Sequence, residues 1–268
     1  MAQSTENIRQ VGAGQWLISQ PDLQPEPGWF EQHYWLDQGR LLGANSGRGS
    51  AWLVKSPHGK WMLRHYFRGG LPARVNRDKY FWRGLEKTRA IAEWRLLQRM
   101  QEHNLPVPKP VAARVRRHGC FYTADILMQY LPHEHTFGHF LVLPQAAGDL
   151  ETWRRVGKTI GHLHQAGFFH ADLNVHNILL SKSSVWLIDF DRGSYRGFSD
   201  DAVTRSGAGW RQANMRRLLR SVKKIVSQAG DEKTLDGAVL TRAWTALEQA
   251  YTQAIQKTEH NNSGHGDA

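Results

Sequence analysis

A single cysteine, Cys120, stands among the 268 residues of the chain. That excludes a disulfide framework within the chain and a cysteine-based zinc or iron–sulfur site. Cys120 precedes Phe121-Tyr122-Thr123-Ala124 and reads as a small, buried or half-buried side chain. Long apolar runs are missing too. Stretches such as Ala124 to Leu131 are broken by Asp125 and Gln129, far short of the roughly 18 apolar residues a membrane-spanning helix needs. The first 30 residues hold no apolar core of a secretory signal. These absences point to the cytosol, or to the cytosolic face of a membrane. Acid is also scarce: 24 Asp and Glu stand against 35 Lys and Arg, for a net charge of +11. A surface so basic calls for an anionic partner. Nucleic acid, anionic lipid and phosphorylated small molecules all qualify. Against the first, the sequence shows no zinc finger, no RNP motif and no obvious recognition helix.

What is present is globular: 40% hydrophobic residues, 10% aromatics and 11 Trp. Residues 1–27 are polar, with Pro21, Pro25 and Pro27 close together. They read as a loosely held lead-in with one short strand at Gln15 to Ile18. Two aromatic and branched segments flank the turn Ser56-Pro57-His58-Gly59 and predict a β-hairpin. Thr88 to His103 carries Ile91, Trp94 and Leu97 at helical spacing. Two strand candidates follow, at Val111 to Arg116 and Phe121 to Tyr130. Beyond Pro132 the pattern turns helical, with helices expected at Leu150 to Ala166, Trp210 to Ser227 and Leu235 to Gln256. The chain thus divides into the lead-in 1–27, a β-rich lobe 28–131, a helical lobe 132–257 and a polar tail 258–268.

The chemistry concentrates in His170-Ala171-Asp172-Leu173-Asn174-Val175-His176-Asn177, with Asp189-Phe190-Asp191 starting 12 residues after Asn177. Phosphoryl transfer needs a carboxylate near the acceptor hydroxyl and oxygen ligands for Mg²⁺. Asp172 can supply the first, and Asn177 with Asp189 the second. Taken singly, each is an ordinary turn or strand-end residue. Together, with strand-like Ile178 to Leu180 and Val185 to Ile188 between them, they form the pattern H-x-D-L-x-x-x-N…D-F-x, which resembles the protein-kinase signature. Upstream, Gly47-Arg48-Gly49-Ser50 matches part of a glycine-rich phosphate loop, with Trp52 at the third glycine position. The strand after it ends at Met62-Leu63-Arg64, where protein kinases carry a Lys. Arg64 can still grip phosphate, with Lys55 as the alternative. Glu93 is the expected partner of Arg64, and Glu86 the second choice.

These residues, with Leu63-Arg64-His65-Tyr66-Phe67-Arg68-Gly69-Gly70 and Ile188-Asp189-Phe190-Asp191-Arg192-Gly193, resemble the 3-deoxy-D-manno-octulosonic acid (Kdo) kinases of the lipopolysaccharide core kinase family. The resemblance runs from about Gly28 to Val226. It implies an α+β, protein-kinase-like bilobal fold, with an N-terminal antiparallel sheet lobe and a helical C-terminal lobe. It also implies ATP and Mg²⁺, and transfer to the 4-hydroxyl of Kdo on the lipid A precursor. The family's place is the cytoplasmic face of the inner membrane of Gram-negative bacteria, as a peripheral protein. In that reading Asp172 is the base, Asn177 and Asp189 hold metal, and Gly47, Arg48, Gly49, Arg64 and Glu93 serve the nucleotide. His170 braces the loop, Asn174 stands where protein kinases carry a Lys, and His176 is structural. A heptose or aminoglycoside kinase of the same fold is the rival reading, and a nucleic-acid-binding protein the more remote one.

The residues also speak against a peptide acceptor. Only about 20 residues separate Asp191 from the next helix, and none of them forms the A-P-E that closes a protein-kinase activation segment. The basic charge is clustered, with fifteen of the 35 cations in 64–89 and 205–224. Either cluster can be a solvated face. With the aromatics Tyr66, Phe67, Tyr80, Phe81 and Trp82 beside the first, they suit an anionic membrane surface and an acceptor rich in carboxylate and phosphate.

Overall fold

The computed structural model describes residues 6–45, 51–67, 78–197, 207–229 and 235–256. It resolves into two compact units, Met1–Arg99 with Pro108–Leu131, and Met100–Val107 with Pro132–Ala268.

The first unit is built on an antiparallel sheet. Its strands are β1 (Asn7–Gly12), β2 (Gln15–Ser19), β3 (Leu41–Asn45), β4 (Ala51–Ser56), β5 (Gly59–His65), β6 (Tyr80–Phe81), β7 (Pro110–His118) and β8 (Phe121–Gln129). Their order is β1-β2-β7-β8-β5-β4-β3, with β6 added to the end of β8. A short helix, α1 (Gln32–Asp37), and most of a longer one, α2 (Arg89–Glu102), complete the unit. Leu17, Phe30, Trp35, Val54, Trp61, Leu63, Ala112 and Leu127 pack into one apolar cluster. Alternation along β5 accounts for Trp61 and Leu63 entering this cluster while Met62 and Arg64 point to the other face.

Residues 7–19, expected to be a loose lead-in with one short strand, instead form a hairpin at the sheet edge. The physical reason is its second strand. Leu17 and Ile18 are 1% exposed, and β2 pairs with β7 from Gln15↔Arg116 to Ser19↔Ala112. Burying two branched side chains in a continuous ladder outweighs the polar composition around them. Cys120, expected to be buried or half-buried, is exposed. It sits in the two-residue turn between β7 and β8, where the chain reverses at the surface.

A buried charge network ties the sheet together. Arg114, on β7, is almost fully buried. It donates to Asp125 opposite it on β8 (2.8 Å), to the Glu31 carboxylate, and to the carbonyls of Pro27 (3.2 Å) and Phe30 (3.1 Å). His65 on β5 closes the same network against Asp125 (2.6 Å) and Asp78 (3.3 Å). Burial alone lowers the imidazole pKa, but these two carboxylates outweigh it and raise the net value.

The second unit is mostly helical. It holds β9 (His135–Thr136), α3 (Phe137–Phe140), α4 (Leu150–Gln165), β10 (Phe168–Phe169), β11 (Ile178–Leu180), β12 (Val185–Leu187), β13 (Ser194–Tyr195), α5 (Gly207–Gln228) and α6 (Gly237–Gln256). Asp149 caps α4 by accepting from the Thr152 amide at 2.9 Å. Gly167, at φ +78, ends it in the left-handed conformation that glycine adopts freely. Trp153, Val156, Ile160 and Leu163 form its buried face. No helix among the described residues is long and apolar enough to cross a membrane.

Helices α4 and α6 approach backbone to backbone. A Cβ on Gly157 would lie 2.1 Å from the Leu247 carbonyl oxygen, and one on Gly161 2.6 Å from the Ala254 Cβ. Gly157→Ala therefore loses by overpacking roughly 1–3 kcal/mol, more than the ~1 kcal/mol of helix propensity it gains. Thermal unfolding of that variant is expected at a lower temperature than wild type; an equal or higher midpoint contradicts the close packing.

Candidate active site

In the sheet unit, Arg64 is the penultimate residue of β5 and pairs in register with Ala51, the first residue of β4. Gly47, Arg48 and Gly49 precede β4 in the sequence. Those three lie outside the described residues. Glu93 faces inward from α2, only 2% exposed, and its carboxylate takes hydrogen bonds from the Arg64 guanidinium and from the Tyr66 hydroxyl (2.6 Å). Arg64 also lies over the Tyr66 ring, 4.8 Å from its centroid. Such a buried carboxylate needs a cation, and it fixes that cation in direction. Glu86, the second choice, pairs with Arg95 instead. Lys55, the alternative to Arg64, is exposed and opposes Lys60 in the hairpin.

In the helical unit, residues 170–177 form a loop leading into the β11–β12 hairpin. Its register, Ile178↔Leu187, sets Asn177 opposite Ile188, and the Ile188 amide donates to the Asn177 carbonyl at 3.0 Å. Asp189 follows directly. A sequence separation of 12 residues is thereby folded into adjacency. Asp189 has φ +64, a left-handed conformation uncommon outside glycine and concentrated at functional sites.

His170 joins the two strings of the motif. The Asp172 amide donates to its Nδ1 (3.1 Å), so Nδ1 carries no proton. Nε2 must then hold the hydrogen and donates it to the Ile188 carbonyl (2.9 Å). The ring is fully buried against Phe190, with centroids 4.6 Å apart, and burial lowers its pKa. It is a neutral strut between the Asp172 backbone and the Asp189 segment.

The loop is further tied at the Asp172 carbonyl, which accepts from Asn174 Nδ2 (3.0 Å) and Asn177 Nδ2 (2.9 Å). The Asn177 side-chain oxygen and the Asp189 carboxylate are hard oxygen donors of the kind that Mg²⁺ takes. The residues present therefore fit the ion. Asn174 Oδ1 accepts from the His176 amide (2.8 Å), so this side chain is occupied in building the turn. The His176 ring packs on Gly138, where an added Cβ would lie 2.9 Å from its Nδ1.

Three contacts from α5 were not legible as site contacts in the sequence. Asn214 Nδ2 donates to the His170 carbonyl (3.0 Å), Arg217 donates to the Asp172 carboxylate, and the Val175 amide donates to Ser221 Oγ (3.3 Å). Spaced 214, 217 and 221, they form one polar stripe of the helix. Arg217, read from sequence as part of a basic surface cluster, is thus directed at the loop. The signal available was the stripe itself, an Asn at i with Arg at i+3 and Ser at i+7.

Behind the stripe runs a buried relay. Tyr251 on α6 meets His164 Nδ1 at 2.9 Å, and His164 Nε2 meets Asn214 Oδ1 at 3.2 Å. Because Asn214 donates through nitrogen to His170, its oxygen accepts. His164 is therefore a neutral Nε2–H tautomer that accepts from the tyrosine. Complete burial pushes its pKa down to about 3, and burial pushes the Tyr251 phenol up to about 12.

The model of the "Lipopolysaccharide kinase (Kdo/WaaP) family" matches residues 32–251. A protein of Stenotrophomonas maltophilia strain K279a described as 3-deoxy-D-manno-octulosonic acid kinase is 40% identical over 236 residues, covering 87% of this chain and 90% of its own. A protein of the same description from Xanthomonas campestris pv. campestris strain B100 is 42% identical over 203 residues, 75% and 77% of the two chains. Among solved structures, a glucosamine kinase aligns over 96% of this chain and 82% of its own, at 11% identity and a TM-score of 0.49.

A histidine neutral in the fold and free to protonate when unfolded makes stability fall with acidity. For His164 the loss begins near pH 6.5 and continues toward pH 3. Between pH 7 and 5.5 it contributes roughly 1 kcal/mol of that loss. Urea unfolding at these two pH values is expected to show a smaller difference for His164→Gln than for wild type. An unchanged difference contradicts the neutral buried state.

Proposed function

Because the chain belongs to the lipopolysaccharide kinase (Kdo/WaaP) family, we propose that it transfers the γ-phosphoryl group of ATP to the 4-hydroxyl of Kdo on the lipid A precursor. The chain is a kinase, a phosphotransferase to an alcohol group, acting in lipopolysaccharide biosynthesis. The observation that carries the finer reading is the joining of Asp172, Asn177 and Asp189 by His170 and the β11–β12 hairpin.

In this reading Asp172 orients the acceptor hydroxyl and takes its proton. Asn177 and Asp189 would hold Mg²⁺, which would supply charge neutralisation on the phosphates. Arg64, aimed by Glu93, and the Gly47-Arg48-Gly49 segment bind the ATP phosphates. The acceptor is a Kdo–lipid A headgroup, whose carboxylates and phosphates suit a chain of net charge +11. Nucleic acid has no place in it.

The partner surface is the anionic cytoplasmic face of the inner membrane, met by a peripheral protein. The end of the sheet unit supports this. Phe81 and Phe121 are a cross-strand pair, 57% and 38% exposed, with ring centroids 6.2 Å apart. Around them Lys79, Arg83, Arg117 and His118 are exposed, and residues 79–85 and 115–124 contain no acid. Arg117 lies over the Trp82 ring at 5.2 Å, and Trp82 stacks on Trp16. Exposed aromatics ringed by cations suit the headgroup region of anionic lipid.

Asp172→Ala is expected to lower turnover by about 10²- to 10⁴-fold with ATP and a Kdo–lipid A acceptor; near-normal turnover refutes its role as base. The same assay over a panel of Kdo, heptose and aminoglycoside acceptors, read by mass spectrometry, decides the acceptor class. Flotation with phosphatidylglycerol-containing vesicles should capture the wild type and much less of a Phe81→Glu, Phe121→Glu double variant. Equal capture of both, or equal binding to neutral vesicles, counts against the membrane surface.

A further inference from the structure

We propose that Arg217 is a positioning residue for Asp172, holding one carboxylate oxygen from helix α5 so that the other faces the acceptor hydroxyl. The inference rests on the reading of Asp172 as the base. A carboxylate offers two oxygens and turns freely about its last torsion. In this loop its backbone is fixed on both sides, by the amide to His170 Nδ1 and by the carbonyl to Asn174 and Asn177. The side chain is fixed by neither. Among the described residues, the ion pair of Asp172 is the one with Arg217, which engages Oδ1.

The helix that carries Arg217 is itself held in register against the loop. Asn214, three residues earlier, bonds the His170 carbonyl, and Ser221, four residues later, receives the Val175 amide. Arg217 therefore arrives at Asp172 between two fixed points. Within the loop, the position two residues after Asp172 belongs to Asn174, whose amide is occupied on both sides in the turn. No cation of the loop itself can do the work. Both partners of the ion pair are about half exposed, 46% for Arg217 and 49% for Asp172. An ion pair so wet adds little to stability, so its effect lies in direction.

In the step served, the acceptor oxygen bonds to the γ-phosphorus as the bond from that phosphorus to the ADP oxygen breaks. ADP leaves with the electron pair, and the hydroxyl proton passes to the oxygen of Asp172 that Arg217 does not hold. Misdirecting a reacting group by about 1 Å costs on the order of 10²-fold in rate.

The test is a double-mutant cycle on the full-length enzyme with ATP and the acceptor fixed by the panel. Arg217→Met is expected to lower kcat by about 10- to 100-fold, with KM for ATP and the thermal midpoint near wild type. Arg217→Lys, which keeps a donor and the charge, should recover part of the loss. In an Asp172→Asn background, Arg217→Met should change kcat by less than about twofold, because coupled residues are not additive. The same fold-loss in both backgrounds overturns the proposal, since Arg217 would then act on phosphate or acceptor directly. Wild-type kcat in Arg217→Met beside a slow Asp172→Asn overturns it alone. Wild-type kcat in Asp172→Asn removes the base reading and this inference with it.

Discussion

The imidazole of His170 is the constraint on which the helical unit's chemistry depends. One ring nitrogen accepts from the Asp172 amide and the other donates to the Ile188 carbonyl, and these two bonds set the tautomer. The arrangement works only with a neutral ring. A protonated one would lose the acceptor at Nδ1, and it would carry a charge in a site where burial penalises charge. Burial and hydrogen bonding thus demand the same protonation state. The fully buried His164 shows the same agreement, with a donor to Nδ1 from Tyr251 and an acceptor for Nε2 in Asn214. Two neutral histidines, joined through Asn214, connect helices α4, α5 and α6 to the loop that carries Asp172.

Much of the site was legible because its parts are close in sequence or tied to a simple period. Asp172 and Asn177 share one loop, and a hairpin turn separates Asn177 from Asp189, so local strand propensity foretells their meeting. Glu93 was legible from helical spacing beside Trp94 and Leu97, and Arg64 from its place at a strand end. The α5 contacts were not legible. They span 44 to 46 residues of sequence, and a run of Arg and Lys with no acid looks like a solvated face. Only the helix orientation, set by burying Met215, Leu218 and Val222, turns Asn214, Arg217 and Ser221 toward the loop. The edge hairpin at 7–19 was hidden for a related reason. Its polar residues describe the outer strand, while pairing with β7, distant in sequence, decides the inner one. Cys120 misled because the apolar residues after it belong to β8, whereas the cysteine itself occupies the turn.

Charge in this chain does several different things, and position separates them. Arg114 is buried and satisfied on every side, knitting β7, β8 and the segment Pro27–Phe30. Its removal would leave Asp125 without its guanidinium and weaken the anchorage of His65, the neighbour of Arg64. Arg64 is aimed by Glu93. Arg217 is spent on Asp172. The cations at the end of the sheet surround exposed aromatics, which is a different physical situation. A net charge of +11 is therefore the sum of internal struts, aimed site residues and open surface, and only the last is available to an anionic partner as bulk charge.

The way the loop is held also bears on control of the enzyme. A protein kinase orders its catalytic machinery through an activation segment that can be ordered or released. Among the described residues, the restraint on residues 170–177 comes from buried neutral groups and from one face of α5. His170 is locked by backbone partners, Asn214 by two histidines and Ser221 by a backbone amide. Each of these bonds would leave a desolvated polar group behind if it opened. The loop's conformation is therefore a fixed property of the folded helical unit.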